Sequence, residues 1–101
     1  MPAAPLLTEN EIEKNLREVP DWKHLTEQRL IERQFTFKDF REAMGFLVRV
    51  AFEAEEMDHH PDITLSYKRL RLQFTTHASH GLTAKDFEMA KRVDALLGAS
   101  H

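Results

Sequence analysis

The sequence predicts an α+β fold: a single domain of order α-β-β-α-β-β-α, in which a four-stranded antiparallel sheet has its helices packed on one face. Two pairs of short segments alternate apolar and polar residues, and each pair is close enough in the chain to form a hairpin. Three segments show helical spacing of apolar residues, each behind a capping residue. A chain of 101 residues is long enough for one core but not for two.

Capping residues mark where the predicted helices begin. A threonine or an aspartate stands at the start of each helical segment, where its side-chain oxygen accepts a hydrogen bond from a free backbone N–H. Thr8, followed by Glu11, makes a capping box, so residues 1–7 are expected to be a flexible N-terminal tail and residues 8–101 the domain. The predicted helices cover about residues 8–19, 37–57 and 83–98.

Alternating apolar residues predict four strands in two hairpins. In the second hairpin the predicted connection is Lys68-Arg69, which pairs Tyr67 with Leu70. The same register places His60 opposite His77, at the edge where one strand starts and the next one ends. The predicted strands cover residues 22–25, 28–35, 62–67 and 70–74.

The segment 37–57 carries more apolar surface than one small sheet can cover. We therefore expect the chain to form a homo-oligomer, a dimer or a tetramer, through helix 37–57. The alternative is that the first and third helices cover this surface within one subunit. Glu55 continues the central apolar stripe, which predicts a carboxylate on the core side that needs a partner or a ligand. The stripe itself consists of Phe40, Met44, Leu47 and Ala51.

The overall composition excludes several classes of protein. The formal net charge is -3 and no basic surface is indicated, so nucleic-acid binding is not expected. No cysteine is present, which excludes disulfides, thiolate nucleophiles and cysteine metal ligands. No segment has the length of a membrane span or the form of a signal peptide, so no membrane partner is expected. The cytoplasm is the expected location.

A dense group of acids and imidazoles stands where the long helix is predicted to end. His59 and His60 follow this helix end, the hairpin register brings His77 to the same edge, and Glu55 enters from the last helical turn. One neutral and one protonated imidazole act as base and acid near neutral pH, so an acid–base site is the first hypothesis. Two alternatives stay open: a zinc site of three histidines and one glutamate, and a merely polar helix end and strand end.

The same residues carry a resemblance to a known family. Over nearly the whole chain after the tail, the sequence resembles the pterin-4a-carbinolamine dehydratases. In the C-terminal half the resemblance lies in Glu55-x-x-Asp58-His59-His60-Pro61-Asp62, Tyr67, Thr76-His77 and Gly81-Leu82-Thr83-x-x-Asp86. In the N-terminal half it lies in Trp22 and Phe35-x-Phe37-x-Asp39-Phe40.

The resemblance implies a 4a-hydroxytetrahydrobiopterin dehydratase, which is a hydro-lyase. Such an enzyme converts a 4a-hydroxytetrahydropterin to the quinonoid dihydropterin and water, and so recycles the cofactor of aromatic amino acid hydroxylases. The resemblance implies a small-molecule pterin substrate, with no metal and no external cofactor. A non-catalytic dimerisation module of the transcriptional coactivator type, using the same long helix, is the alternative, and a metal-dependent hydrolase is a further one.

The resemblance also implies roles for individual residues. His59 and His77 are the expected acid–base pair, and His60 positions the pterin. Asp86 is expected to orient His77, and Trp22 to flank the pterin ring. The implied catalytic residues are His59, His60, His77 and Asp86. The implied substrate-binding residues are Glu55 at the polar ring edge, His59, His60, Pro61, Thr76, His77, Ala78, Ser79 and Trp22.

Overall fold

The computed structural model describes residues 4–99 and confirms the predicted α+β order of elements. The four strands form one antiparallel sheet in the order β1-β2-β4-β3, so β2 and β4 lie in its centre. The elements are α1 (Glu9–Leu16), β1 (Lys23–Leu25), β2 (Leu30–Thr36), α2 (Phe40–Met57), β3 (Asp62–Ser66), β4 (Arg69–Phe74), a short 3₁₀ turn (His77–Ser79) and α3 (Ala84–Ala99).

The core lies between one face of the sheet and the helices. Strand β4 shows the alternation that produces this arrangement, because Leu70, Leu72 and Phe74 are buried while Arg69 and Arg71 are exposed. Burying one side chain of this size contributes about 1.5–3 kcal/mol relative to leaving it in water. The other large buried apolar residues are Ile31 and Phe35 of β2, Phe46 and Val50 of α2, and Phe87, Met89 and Val93 of α3.

Helix α2 turns a different face to the sheet from the predicted one. Phe40 and Met44, which belong to the predicted central stripe, are 50% and 37% exposed. The prediction that this stripe faces the core is wrong, because the apolar arc of α2 is wider than the contact that the sheet and α3 make with it. The residues of α2 that are buried are Ala43, Phe46, Val50 and Ala54.

The second hairpin has a register two residues away from the predicted one. Leu70 pairs with Leu65 rather than with Tyr67, and the two-residue turn is Tyr67-Lys68. The turn is possible because Tyr67 adopts a positive φ of 56°, a conformation that the sequence does not signal with glycine or asparagine. The predicted pairing of His60 with His77 is therefore wrong, since β3 begins only at Asp62 and β4 ends at Phe74.

The start of the described chain lies against the end of the second hairpin. The Leu7 N–H donates to the Leu82 carbonyl at 3.0 Å, and the Ser79 hydroxyl donates to the Ala4 carbonyl at 2.5 Å. Residues 4–7 of the predicted flexible tail are thus hydrogen-bonded to the domain, while the other tail residues lie outside the described range. No helix within residues 4–99 is long and apolar enough to cross a bilayer.

Helix α1 begins with the predicted capping box. The Thr8 N–H donates to Glu11 Oε1 at 2.8 Å, and the Glu11 N–H donates to Thr8 Oγ1 at 3.2 Å. The first of these contacts, with a smaller contribution from the Thr8 hydroxyl, holds the pKa of Glu11 below its ordinary value of 4.5. This end of the helix is therefore fixed by groups only three residues apart.

Candidate active site

The chain leaves α2 through a tight C-terminal motif that places both adjacent histidines. Asp58 adopts the left-handed conformation with a φ of 50°, a role that glycine usually fills. The His59 N–H donates back to the Ala54 carbonyl at 3.0 Å, and the Asp58 N–H donates to the Glu55 carbonyl at 3.3 Å. These paired contacts are those of a Schellman motif, which reverses the chain and turns His59 back against the domain.

His59 forms a buried pair with Asp86. Its Nε2 lies 2.6 Å from Asp86 Oδ1, and the two residues are 8% and 0% exposed. The ring of Phe74 stacks against the imidazole, with centroids 6.2 Å apart and planes inclined by 15°. The prediction that Asp86 orients His77 is wrong, because the carboxylate of Asp86 faces His59 instead.

The second carboxylate oxygen of Asp86 is bound by two threonines. Oδ2 accepts the Thr76 hydroxyl at 2.9 Å and the Thr83 N–H at 2.9 Å. The hydroxyls of Thr76 and Thr83 also lie 2.7 Å from each other. Asp86 stands at the third position of α3, where an acid both caps the helix and benefits from its positive end. A carboxylate that is completely buried thus has a hydrogen-bond donor on both oxygens.

His60 forms a second pair, with Glu55, at the surface. Its Nε2 lies 2.5 Å from Glu55 Oε2, and the two side chains are 53% and 76% exposed. The prediction that Glu55 points toward the core side is wrong, since the exposed side of α2 carries it. Its predicted need for a partner is nevertheless met, because His60 provides one.

His77 reaches the site through a turn rather than along a strand. It opens the 3₁₀ turn that follows Thr76, and it is exposed. Within residues 4–99 its imidazole makes no hydrogen bond, whereas its neighbour Thr76 is bound to Asp86. His59 and His77 are therefore connected through Asp86 and Thr76, and the imidazole of His77 is free to contact a ligand.

The remaining predicted site residues differ in what they offer a ligand. Trp22 is 4% exposed and its Nε1–H donates to Asp94 at 2.9 Å, so it does not fit the predicted role of flanking a pterin ring. The hydroxyls of Thr76 and Ser79 are already engaged by protein groups. Ala78 is exposed and Pro61 is half-buried, beside His77 and His60 respectively.

Thr83 is the site residue that sequence reasoning missed. The spacing of Thr83 and Asp86 predicts a helix cap, and the cap is present. The contact of the Thr83 hydroxyl with Thr76 is a tertiary contact between residues of two different elements, so no local pattern predicts it. Phe74, which stacks on His59, was predicted only as a core residue of its strand.

A cavity of about 380 Å³ lies elsewhere, between β2 and the side of α2. Arg33, Phe37 and Arg49 are among its lining residues, and it contains none of the predicted site residues. It has no histidine, so it lacks the groups that exchange protons near neutral pH. We therefore place the candidate active site at the histidines, where the chemistry is, and not at this cavity.

The metal-site alternative finds no donor set in the part of the chain that is described. Among residues 4–99 no three histidine, aspartate or glutamate side chains converge in a way that could hold a metal ion. The Nε2 atoms of His59 and His60 are each directed at a carboxylate.

Comparison with known proteins identifies relatives over most of the chain. A family model described as "Pterin 4 alpha carbinolamine dehydratase" matches residues 5–96. A protein of Rhodospirillum rubrum is 46% identical over 87 residues, which are 86% of this chain and 91% of the relative. One of Chloroflexus aurantiacus is 45% identical over 94 residues, 93% of this chain and 99% of the relative. Both carry the name "Putative pterin-4-alpha-carbinolamine dehydratase".

Two solved structures share the fold. A Brucella melitensis protein titled a transcriptional coactivator/pterin dehydratase matches with a TM-score of 0.88 and 37% identity, over 91% of this chain and 98% of its own. A pterin dehydratase-like protein described as a RuBisCO assembly factor in the alpha-carboxysome matches with a TM-score of 0.68 and 24% identity, over 77% of this chain and 90% of its own. At that identity the second match shows a common fold alone.

Proposed function

The chain belongs to the pterin 4 alpha carbinolamine dehydratase family, and we propose that it dehydrates a 4a-hydroxytetrahydropterin to the quinonoid dihydropterin and water. The observation that carries this proposal is the buried His59–Asp86 pair, which is linked through Thr76 to the exposed His77. The proposed role is the recycling of a tetrahydropterin cofactor in the cytoplasm. The absence of cysteine is compatible with that compartment.

The reaction needs one proton donor and one proton acceptor. The bond from C4a to the hydroxyl oxygen breaks, and the hydroxyl takes a proton and leaves as water. The adjacent ring N–H loses its proton, and a carbon–nitrogen double bond forms. No electron leaves or enters the substrate as a whole, so two imidazoles are sufficient for this chemistry. In the proposal His59 and His77 are these two groups.

His60 and Glu55 are proposed to hold the polar edge of the pterin. A pterin ring carries N–H donors, and an exposed carboxylate is a suitable acceptor for them. Because 76% of the Glu55 side chain is exposed, it can exchange part of its contact with His60 for a contact with the substrate. Its contribution is therefore binding rather than proton transfer.

The test of the proposed function is a stopped-flow absorbance assay with 4a-hydroxytetrahydropterin. The purified protein should accelerate the dehydration, and His59→Ala and His77→Ala should each slow turnover by about 10²–10⁴-fold. His24→Ala is a matched control, because His24 is a half-buried histidine on the β1 strand at the far edge of the sheet. Absence of any acceleration by the wild-type protein would refute the proposal.

We further propose that the exposed apolar side of α2 joins copies of this chain. Gly45 lies on this side with no atom within 4 Å of where a Cβ would be, which leaves room for close approach of a second helix. A surface of this kind on one helix is self-complementary about a two-fold axis, as homodimers require. It is formed by Phe40, Met44, Val48 and Phe52, which are 50%, 37%, 47% and 69% exposed.

Light scattering on a sizing column tests the oligomer. The wild-type protein should elute as a dimer or a tetramer, and Phe52→Asp should shift it toward the monomer because a charge is then buried in the contact. Leu6→Asp is the control, since Leu6 is 55% exposed but lies outside α2. A homo-oligomer that does not dehydrate the substrate would favour the alternative, a dimerisation module of the kind that the Brucella title names as a coactivator.

A further inference from the structure

The geometry points to Thr76 and Thr83 as positioning residues for His59, and we infer that they determine which imidazole nitrogen meets the substrate. Their hydroxyls hold the Asp86 carboxylate, which in turn binds Nε2 of His59 and leaves Nδ1 for the reaction. The inference rests on the proposed dehydratase function. It changes the predicted role of Thr76, whose hydroxyl is engaged by protein groups and does not bind substrate.

The hydrogen bonds of the two hydroxyls run in one direction. The Lys85 N–H donates to Thr83 Oγ1 at 3.3 Å. Each hydroxyl has a single proton, and that of Thr76 goes to Asp86 Oδ2 at 2.9 Å. The Thr83 hydroxyl must therefore donate to Thr76, to which it lies at 2.7 Å. A chain of donors thus ends on the carboxylate.

Asp86 accepts at both of its oxygens as a result. Oδ2 receives the Thr76 hydroxyl and the Thr83 N–H, so Oδ1 is left for His59 at 2.6 Å. An ionised carboxylate can only accept hydrogen bonds, and the nitrogen facing it must carry a proton. His59 is consequently held with a proton on Nε2, whatever the protonation of its other nitrogen.

Nδ1 of His59 is the nitrogen that remains accessible. It makes no hydrogen bond with any residue in the range 4–99. Among the described residues, no buried side-chain nitrogen or oxygen lacks a partner, so an unpartnered Nδ1 must be reached from outside. The side chain of His59 is 10% exposed, which is sufficient for one ring atom. Nδ1 is therefore the atom that accepts or donates the proton of the reaction.

Thr76 also connects the two proposed catalytic imidazoles. Its hydroxyl fixes the partner of His59, and its backbone begins the turn that carries His77. The Thr76 N–H donates to the Gly81 carbonyl at 3.0 Å, which closes that turn. One residue thus sets the orientation of His59 and the position of His77 together.

The inference is tested with Thr76→Val, which keeps the shape of the side chain and removes the hydroxyl. Without this donor the carboxylate and the imidazole lose their fixed orientation, so kcat should fall about tenfold while KM stays within about twofold. Thr76→Ser restores the hydroxyl and should return kcat to within about threefold of wild type. Thr75→Val is the control, because the Thr75 hydroxyl donates to the Arg29 carbonyl, outside this network, and its loss should leave kcat unchanged.

A second readout does not depend on activity. In ¹⁵N NMR of the wild-type protein above neutral pH, His59 should carry its proton on Nε2 and none on Nδ1, and Thr76→Val should give a mixture of the two tautomers. A wild-type proton on Nδ1 would overturn the inference without any variant. It would equally be overturned if Thr76→Val kept wild-type kcat, or if Thr76→Ser was as slow as Thr76→Val. An inactive wild type with the expected NMR signals would instead refute the proposed function.

Discussion

Two adjacent histidines pair with carboxylates in opposite surroundings. His59 and Asp86 are 8% and 0% exposed, whereas the side chains of His60 and Glu55 are 53% and 76% exposed. The nitrogen–oxygen distances are nearly equal, at 2.6 Å and 2.5 Å. The two pairs are therefore the same chemical unit, and burial is the property that separates them.

The difference shows how the protein divides positioning from binding. A buried pair is poorly screened by solvent and has fixed neighbours, so it holds one geometry. An exposed pair is screened by water and salt and contributes little to stability, so it is free to rearrange around a ligand. The buried pair joins residues 27 apart in the chain and the exposed pair joins residues 5 apart. Long-range folding thus places the rigid pair, and local geometry places the adaptable one.

Asp86→Asn is the change that should break the buried pair and produce the largest effect. An amide in this position no longer offers two accepting oxygens, so His59 loses the anion that keeps its proton on Nε2. We expect kcat to fall by about 10²–10³-fold in the stopped-flow assay.

Asp94→Asn is the matched control for Asp86→Asn, because Asp94 lies on the same helix and accepts from Trp22 and Arg33. It should lower the free energy of unfolding by about 1–3 kcal/mol and leave kcat within about twofold. If the two variants lost activity equally, stability rather than orientation of His59 would explain the effect.

Glu55→Gln is the corresponding change in the exposed pair, and its effect should be smaller. The neutral amide still bonds to His60 but is a weaker acceptor for the pterin N–H groups. We expect KM to rise about three- to tenfold and kcat to stay within about threefold, measured in the same assay. A loss of kcat as large as that of Asp86→Asn would contradict the division between the two pairs.

Glu11 sharpens the comparison with a third carboxylate, which is exposed like Glu55 but bound by the start of its own helix. Its pKa in the folded protein is lowered, first by the Thr8 backbone N–H and second by the Thr8 hydroxyl. The resulting stability is present above the ordinary value of 4.5 and is lost as the pH falls through the lower, folded value.

Thermal unfolding of Glu11→Gln measures this smallest effect. Between about pH 7 and about pH 3, wild type should lose about 1–2 °C more in Tm than Glu11→Gln does, because glutamine keeps the capping box and has no charge to lose. An equal loss in both proteins would show that the cap is not linked to pH.

Local signals predicted the elements of the fold well and their mutual placement less well. The caps at Thr8 and Thr83 were read correctly because all of their groups lie within one helical turn. The hairpin register was wrong by two residues, since Tyr67 adopts a positive φ that nothing in its residue type signals. The side of α2 that is buried was also wrong, because an apolar arc wider than the contact does not state which part of it is covered.

The sequence by itself determined the order of helices and strands, the helix caps and the presence of acids and imidazoles where α2 ends. Those features depend on groups that are neighbours in the chain, and periodicity and spacing report them directly. Only the tertiary structure decided that Asp86 binds His59, that Thr76 and Thr83 hold this carboxylate, and that Trp22 is buried. The physical reason is that hydrogen bonds between distant segments depend on register and helix rotation, which are fixed by packing of the whole core.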